Sequence, residues 1–263
     1  MNIAARDIAE VFVNARRSGH ALNAYPGGNA PASLDEAYAI QDTALEIWNR
    51  PVGGWKVGKI NPPDDSALGA NRLAGPIFAD TIFLAKDEPV SMAVFKEGFA
   101  AAEAEFMLRL APPAPDAPPP QSNEEAMGWI DEVRIGIEIA SSPYPGINRD
   151  GPCVTVSDHG NNAGLVLGRP LDREAWDDLS SIGVALEVNG EVVGEATTAT
   201  MLDGPFGAVR FLLANLADRG IAPAAGWWVS SGAITGVHEV VPGDAVVARF
   251  SGIGEVAAGI AAL

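Results

Sequence analysis

Residues 99–110 run Phe-Ala-Ala-Ala-Glu-Ala-Glu-Phe-Met-Leu-Arg-Leu, an apolar segment interrupted only by Glu103, Glu105 and Arg109. Read as a strand, alternation sends Glu103, Glu105, Met107 and Arg109 to one face and Ala102, Ala104, Phe106, Leu108 and Leu110 to the other. The two carboxylates then point the same way, roughly 7 Å apart at the strand rise. Burying two anions side by side raises at least one pKa strongly, so the spacing asks for a counter-charge, which a bound divalent ion would supply.

A third carboxylate lies in a second segment of this kind. In Val133-Arg134-Ile135-Gly136-Ile137-Glu138-Ile139 the odd positions form an apolar face, and Arg134, Gly136 and Glu138 form the other. Glu138 either pairs with a cation on a solvated sheet face or joins Glu103 and Glu105 as a ligand. Three carboxylates with no nearby Cys or His favour a hard ion, Mg²⁺ or Mn²⁺, over zinc, with Ca²⁺ as a further choice.

Around these segments the chain changes character once. Ile3, Ile8, Val11, Phe12 and Ala15 fall at helical spacing, with Gly19 placed to end that helix. Ser33 and Glu36 have the form of a capping box, followed by the apolar face Leu34, Ala37, Tyr38, Gln41, Ala44, Leu45 and Trp48. Residues 1–52 are therefore expected to form a helical N-terminal region. From Gly53 short Gly- and Pro-punctuated segments take over, with strands expected at 55–60, 100–110, 133–140, 165–167, 183–188, 191–196, 227–231 and 245–250. Asn189-Gly190 predicts a two-residue hairpin turn, because both residues tolerate positive φ. Helices are expected at 124–132 and 205–219, and the proline-rich residues 112–120 as an exposed loop. Residues 53–263 follow the helices without a linker, which predicts one integrated unit of the α+β, β-rich class.

Length and charge narrow the function. A chain of 263 residues builds a sizeable core. Its 34 acidic against 17 basic residues, a net charge of −17, oppose any sequence-independent hold on nucleic acid or anionic membrane. A single cysteine, Cys153, excludes an internal disulfide and any multi-cysteine zinc site, and suits a reducing compartment. Charges in the first ten residues and the lack of a long apolar run lead to the expectation of a cytoplasmic protein.

Gly54-Trp55-Lys56-Val57-Gly58, Glu103-Ala104-Glu105, Glu138, Val156-Ser157-Asp158-His159-Gly160, Gly168 and Pro242-Gly243-Asp244 together resemble the fumarylacetoacetate hydrolase superfamily in order and spacing. Residues 33–42, Ser-Leu-Asp-Glu-Ala-Tyr-Ala-Ile-Gln-Asp, are similar to the N-terminal helix of its 2-keto-4-pentenoate hydratase branch. The resemblance implies a mixed β-roll, a homo-oligomer, and Mg²⁺ or Mn²⁺ held by Glu103, Glu105 and Glu138. In such enzymes the ion chelates the oxo and carboxylate oxygens of a small 2-oxo acid. By the same resemblance Lys56 steers substrate oxygen or protons, Asp158 and Asn161 sit in a substrate-contact loop, Asp158 as a catalytic residue and Asn161 as a substrate contact, and Ser231-Gly232 contacts the substrate carboxylate. His159 is read either as a proton-transfer group or as a hydrogen-bonded structural histidine; His20 and His238 are expected at the surface.

Two departures from the branch stand out. Hydratases of this type carry an acid shortly before their Gly-x-x-Phe stretch, whereas here Leu73-Ala74 precedes Gly75-Pro76-Ile77-Phe78, leaving Asp64 or Asp80 as replacements. Lys59 and Arg72 are additional cations, suited to a second substrate carboxylate. The expected activity is water addition to a 2-hydroxy-dienoate or 2-oxo-enoate in the breakdown of aromatic compounds. The competing expectations are an acylpyruvate-type carbon–carbon hydrolase, a 2-oxo acid decarboxylase, and a non-catalytic organic-acid-binding relative.

Overall fold

The computed structural model describes residues 5–112, 114 and 117–263. It opens with α1 (Ala5–Ser18) and α2 (Leu34–Trp48). Ile3, expected in the first helix, lies outside the described residues. Ser33 caps α2 by accepting from the Glu36 N–H at 3.2 Å. The Glu36 carboxylate accepts from the Ala32 N–H, one residue before the position a capping box requires.

Among the described residues thirteen strands follow: β1 (Val52–Lys59), β2 (Arg72–Phe78), β3 (Ile82–Leu84), β4 (Val90–Val94), β5 (Phe99–Leu110), β6 (Ile130–Ser142), β7 (Asn162–Pro170), β8 (Gly183–Val188), β9 (Glu191–Thr197), β10 (Trp228–Ser230), β11 (His238–Glu239), β12 (Ala245–Phe250) and β13 (Gly254–Ala262). Between them lie α3 (Asp64–Leu68), α4 (Asn123–Met127), α5 (Pro152–Ser157) and α6 (Gly204–Asp218). The larger sheet runs β2-β1-β10-β5-β6-β7-β3, with β11 also on β5; the smaller runs β4-β13-β12-β8-β9. Both sheets mix parallel and antiparallel pairs, giving the expected α+β, β-rich class.

The alternation read from residues 99–110 sets the layering. Ala102, Ala104, Phe106, Leu108 and Leu110 share one core with Val133, Ile135, Ile137 and Ile139 of β6 and with Val184, Leu186, Ala248 and Phe250 of the smaller sheet. Phe106 and Phe250 meet with ring centroids 5.6 Å apart. Each large side chain buried there contributes about 1.5–3 kcal/mol, so the apolar face of β5 binds sheet to sheet and leaves its other face for chemistry. A second core joins Ile8, Phe12 and Val13 of α1 to Phe99, Ala101, Tyr144 and Val154, so the N-terminal helices pack directly on the sheet.

The expected hairpin forms: β8 and β9 pair antiparallel around Asn189 and Gly190, with φ of 53° and 82°. The helix expected over 124–132 does not reach its end. Gly128 closes α4 and the Trp129 carbonyl accepts from the Ala111 N–H, drawing the chain into β6 from Ile130. In the proline-rich stretch, positions 113, 115 and 116 lie outside the described residues; the rest forms no helix or strand, and Pro120 is buried. Among the described residues no helix is long and apolar enough to cross a membrane.

Candidate active site

β5 and β6 pair with Glu103 opposite Glu138 and Glu105 opposite Gly136. The register therefore brings all three carboxylates together, with one oxygen from each within 4.8 Å of the others. All are buried. β10 and β11 both pair with β5 on its other edge, and the chain between them passes beside Glu103 and Glu105, tied by the Ser231 N–H to the Phe106 carbonyl and the Ile234 N–H to the Ala104 carbonyl.

Two of the carboxylates are held by one oxygen each. Glu105 Oε2 accepts from Ser230 Oγ at 2.5 Å and from the Gly232 N–H at 2.8 Å. Glu138 Oε1 accepts from Asn162 Nδ2 at 2.9 Å and lies 3.3 Å from Lys56 Nζ. Glu105 Oε1 and Glu138 Oε2 are buried without a hydrogen-bond partner. A buried, unpartnered carboxylate oxygen is costly unless a cation faces it. Three carboxylates and one ammonium, all ionised, carry a charge of −2, which a divalent ion balances. The all-oxygen donor set fits a hard ion such as Mg²⁺, Mn²⁺ or Ca²⁺.

The electrostatics of the protein alone show the same imbalance. Burial pushes the Glu103 carboxyl from 4.5 up to about 7, with Lys56 opposing and Glu138 adding to the rise. Burial, then the charges of Glu138 and Glu103, hold Glu105 well above the usual carboxylate range. Burial alone would lower the Lys56 ammonium, but Glu138, Glu103 and Glu105 outweigh it and keep Lys56 protonated above its ordinary value. Because Glu103 binds its proton more tightly folded than unfolded, its contribution to stability is full below 4.5 and is lost as pH rises toward 7. A cation at this position replaces that proton. The rise in melting temperature on adding Mg²⁺ to chelated protein is therefore expected to be small below 4.5 and largest above 7. Thermal melts across this window check it; a pH-independent increment would contradict it.

A cavity of about 710 Å³ adjoins the carboxylates, with Lys56, Glu103, Asn161, Asn148, Thr155 and Thr235 on its wall. Asn161, at φ 58°, donates from Nδ2 to Asn148 Oδ1 at 2.8 Å and accepts from Lys56 Nζ at 3.4 Å. Lys59 and Asp64 also line this cavity, as does Leu73. Of the two glycines flanking Lys56, Gly58 lines the cavity, whereas a Cβ at Gly54 would meet the Trp228 carbonyl oxygen at 2.2 Å, so Gly54 serves the close β1–β10 pairing.

Several other expected site residues lie elsewhere. Asp158 is fully buried against Arg16 of α1, with Arg16 Nε at 2.5 Å from Oδ1 and Ser142 Oγ at 2.6 Å from Oδ2. It fastens α1 to the sheet and is not on the cavity wall. The His159 ring is buried edge-on to Phe78 and Trp48 with both ring nitrogens unpartnered, so it lacks the hydrogen bond expected of a structural histidine, and it does not line the cavity. Burial, reinforced by Arg16 and Arg50, pushes its pKa well below the usual value and keeps it neutral. Arg72 pairs with Asp203 and lines a separate cavity with Tyr38 and Phe211. Ser231 Oγ is buried and unpartnered, while the neighbouring Ser230 makes the contact with Glu105. Asp80 pairs with Arg50 away from the cavity, so of the two acids expected as replacements Asp64 alone lies on its wall. Ser230, Asn162 and Asn148 were not among the expected site residues. Asn162, next to Asn161, and Ser230, next to Ser231, had adjacency as a signal; Asn148 had none.

Comparison with known proteins places this arrangement among relatives. A 4-oxalocrotonate decarboxylase of Pseudomonas putida is 32% identical over 134 residues, a match spanning 51% of this chain and 50% of that protein. A 2-keto-4-pentenoate hydratase of Paraburkholderia xenovorans (strain LB400) is 28% identical over 255 residues, covering 95% of this chain and 92% of the relative. Among solved structures, a 4-oxalocrotonate decarboxylase from Pseudomonas putida G7, complexed with magnesium and adipate, superposes with a TM-score of 0.80 at 24% identity, covering 97% of each chain. The family model described as fumarylacetoacetate (FAA) hydrolase C-terminal matches residues 77–261, and with that match the chain belongs to the fumarylacetoacetate hydrolase family.

Proposed function

We propose that the protein is a divalent-metal-dependent hydratase, adding water to the conjugated 2-oxo acid formed from a 2-hydroxy-dienoate, as in the degradation of aromatic compounds. The observation that carries this is the pair of unpartnered buried oxygens, Glu105 Oε1 and Glu138 Oε2, converging with Glu103 beside Lys56 at a cavity of substrate size. The hydratase matched over most of both chains supports the reaction, and the magnesium and adipate of the structural relative support a hard ion and a carboxylic acid ligand.

Glu103, Glu105 and Glu138 would hold Mg²⁺ or Mn²⁺. Such an ion supplies Lewis-acid stabilisation of negative charge on the 2-oxo oxygen and its neighbouring carboxylate. The remaining work falls to the chain. Lys56, held as an ammonium by the carboxylates, donates a hydrogen bond to a substrate oxygen and, as the dienol becomes the ketone, gives a proton to carbon and regains one from the enol hydroxyl. Asn161 fixes the direction of the Lys56 ammonium, and Asn148 fixes Asn161. Asp64, which lines the cavity as Glu239 does, is a carboxylate able to accept a proton from the water that adds to the far carbon. Lys59, on the same wall, suits a second carboxylate on the substrate.

A second reading, decarboxylation of an unsaturated 2-oxo diacid, is favoured by one specific feature. Leu73 occupies the cavity wall, and the Ala74 backbone is engaged by Tyr38 Oη and Gln41 Nε2, where the hydratase branch places an acid. Breaking the carbon–carbon bond to release CO₂ needs the same stabilised enolate and only a proton to finish, without a base to activate water.

One assay separates the readings. With Mg²⁺ present, the hydratase removes the ultraviolet absorbance of a 2-hydroxy-dienoate monoacid and yields a hydroxylated 2-oxo acid without CO₂. Release of CO₂ from an unsaturated 2-oxo diacid, with no consumption of the monoacid, would assign decarboxylation. Tight binding of oxalate with turnover of neither would overturn both in favour of a binding protein.

A further inference from the structure

We infer that Ser230, the Gly232 backbone N–H and Asn162 form a two-sided clamp whose role is to position Glu105 and Glu138 for the ion. This rests on the reading of the three carboxylates as a metal centre. The two sides mirror each other. On Glu105, the Ser230 hydroxyl and the Gly232 N–H converge on Oε2, leaving Oε1 bare; on Glu138, Asn162 Nδ2 and Lys56 Nζ converge on Oε1, leaving Oε2 bare. Each carboxylate is thus fixed in rotation by one oxygen and presents the other. Saturating one oxygen with donors also keeps a carboxylate from turning both oxygens toward the same ion.

The chain shape that makes this possible is specific. β10 runs parallel to β1, with Ser230 opposite Lys56, and antiparallel to β5, with Ser230 opposite Met107. Ser230 thus lies between Lys56 and the face of β5 that carries Glu105. Two residues on, Gly232 adopts φ 107°, a conformation that a residue with a Cβ rarely takes, and this turns its N–H onto the same carboxylate oxygen. On the far side, Asn162 opens β7 opposite Ala140, two residues along β6 from Glu138. Its backbone carbonyl is itself tied to Arg16, at 3.2 Å from Nη1. The positioning of Glu138 is therefore braced by the same arginine that anchors Asp158.

The test is Mn²⁺ titration of chelator-stripped protein by calorimetry, in the wild type and in Ser230→Ala, Ser230→Thr and Asn162→Ala. Partners that orient metal ligands typically contribute about 10–100-fold in affinity. Ser230→Ala and Asn162→Ala are each expected to weaken Mn²⁺ binding by about that factor while melting, in chelator, close to the wild type. Ser230→Thr, which keeps the hydroxyl, is expected to restore affinity, a rescue that a purely packing role would not produce. Should Ser230→Ala fail to fold, Asn162→Ala on the opposite carboxylate carries the test. Wild-type protein that binds no Mn²⁺ would overturn the metal centre and the clamp with it. Wild-type binding with unchanged affinity in a folded Ser230→Ala or Asn162→Ala would overturn the clamp alone.

Discussion

Glu105→Gln is expected to lose divalent-ion binding and turnover together while remaining folded. The substitution keeps the side chain's size and leaves an amide oxygen to accept from Ser230 Oγ and the Gly232 N–H. The bare position then becomes an NH₂ group, a donor that cannot face a cation. Losing several kcal/mol of charge stabilisation corresponds to a fall of about a thousand-fold or more in kcat/KM. In chelator the variant should be at least as stable as the wild type, because the burial that holds Glu105 well above the usual carboxylate range no longer acts on a titratable group. Activity near the wild-type level in Glu105→Gln, or in chelated wild type, would contradict the site.

The second large effect is on stability. Asp158→Ala removes the partner of Arg16, whose side chain is only 8% exposed, and takes an acceptor from Ser142. Breaking a buried ion pair from one side costs about 3–5 kcal/mol because the other charge stays buried and unpaired. Arg16 also donates to the Ser141, Asp158 and Asn162 carbonyls, so the stranded guanidinium would pull on β6 and β7 as well as on α1. A urea titration should show a large drop in the unfolding midpoint, and the folded fraction should retain Mn²⁺ binding. A variant of wild-type stability that has lost turnover would instead return Asp158 to the catalytic role expected from the sequence.

These two residues show what the sequence made legible and what it did not. Glu103, Glu105 and Glu138 could be read because strand alternation is local: two residues apart means the same face, and a lone acid in an apolar strand asks for a partner. That Glu103 stands opposite Glu138 depends on register between strands, which spacing alone does not set. The ion pair of Asp158 was not legible, for the opposite reason. Its chemistry is that of a catalytic carboxylate, but its partner lies 142 residues away on α1, and nothing near Asp158 announces Arg16.

The same limit hid the contact of Ser230 with Glu105. Ser230 and Ser231 are adjacent, and only the parallel pairing of β10 with β1 determines which of them reaches Glu105. β2 escaped notice because Gly75-Pro76 reads as a turn, yet Pro76 is tolerated there because β2 is an edge strand. Gly75 has its own reason: a Cβ there would meet the His159 carbonyl oxygen at 2.3 Å. The hairpin at Asn189-Gly190 and the cap at Ser33 were readable because each is fixed by two to four consecutive residues.

The central claim is that three strand-borne carboxylates hold one divalent ion for a 2-oxo acid. Calorimetric titration of the chelator-stripped protein with Mg²⁺ and Mn²⁺, with and without oxalate as a mimic of the 2-oxo acid head, tests it most directly. One ion per chain, bound more tightly when oxalate is present and lost in Glu138→Gln, is the predicted result. No saturable binding, or the same binding in Glu138→Gln, would contradict it.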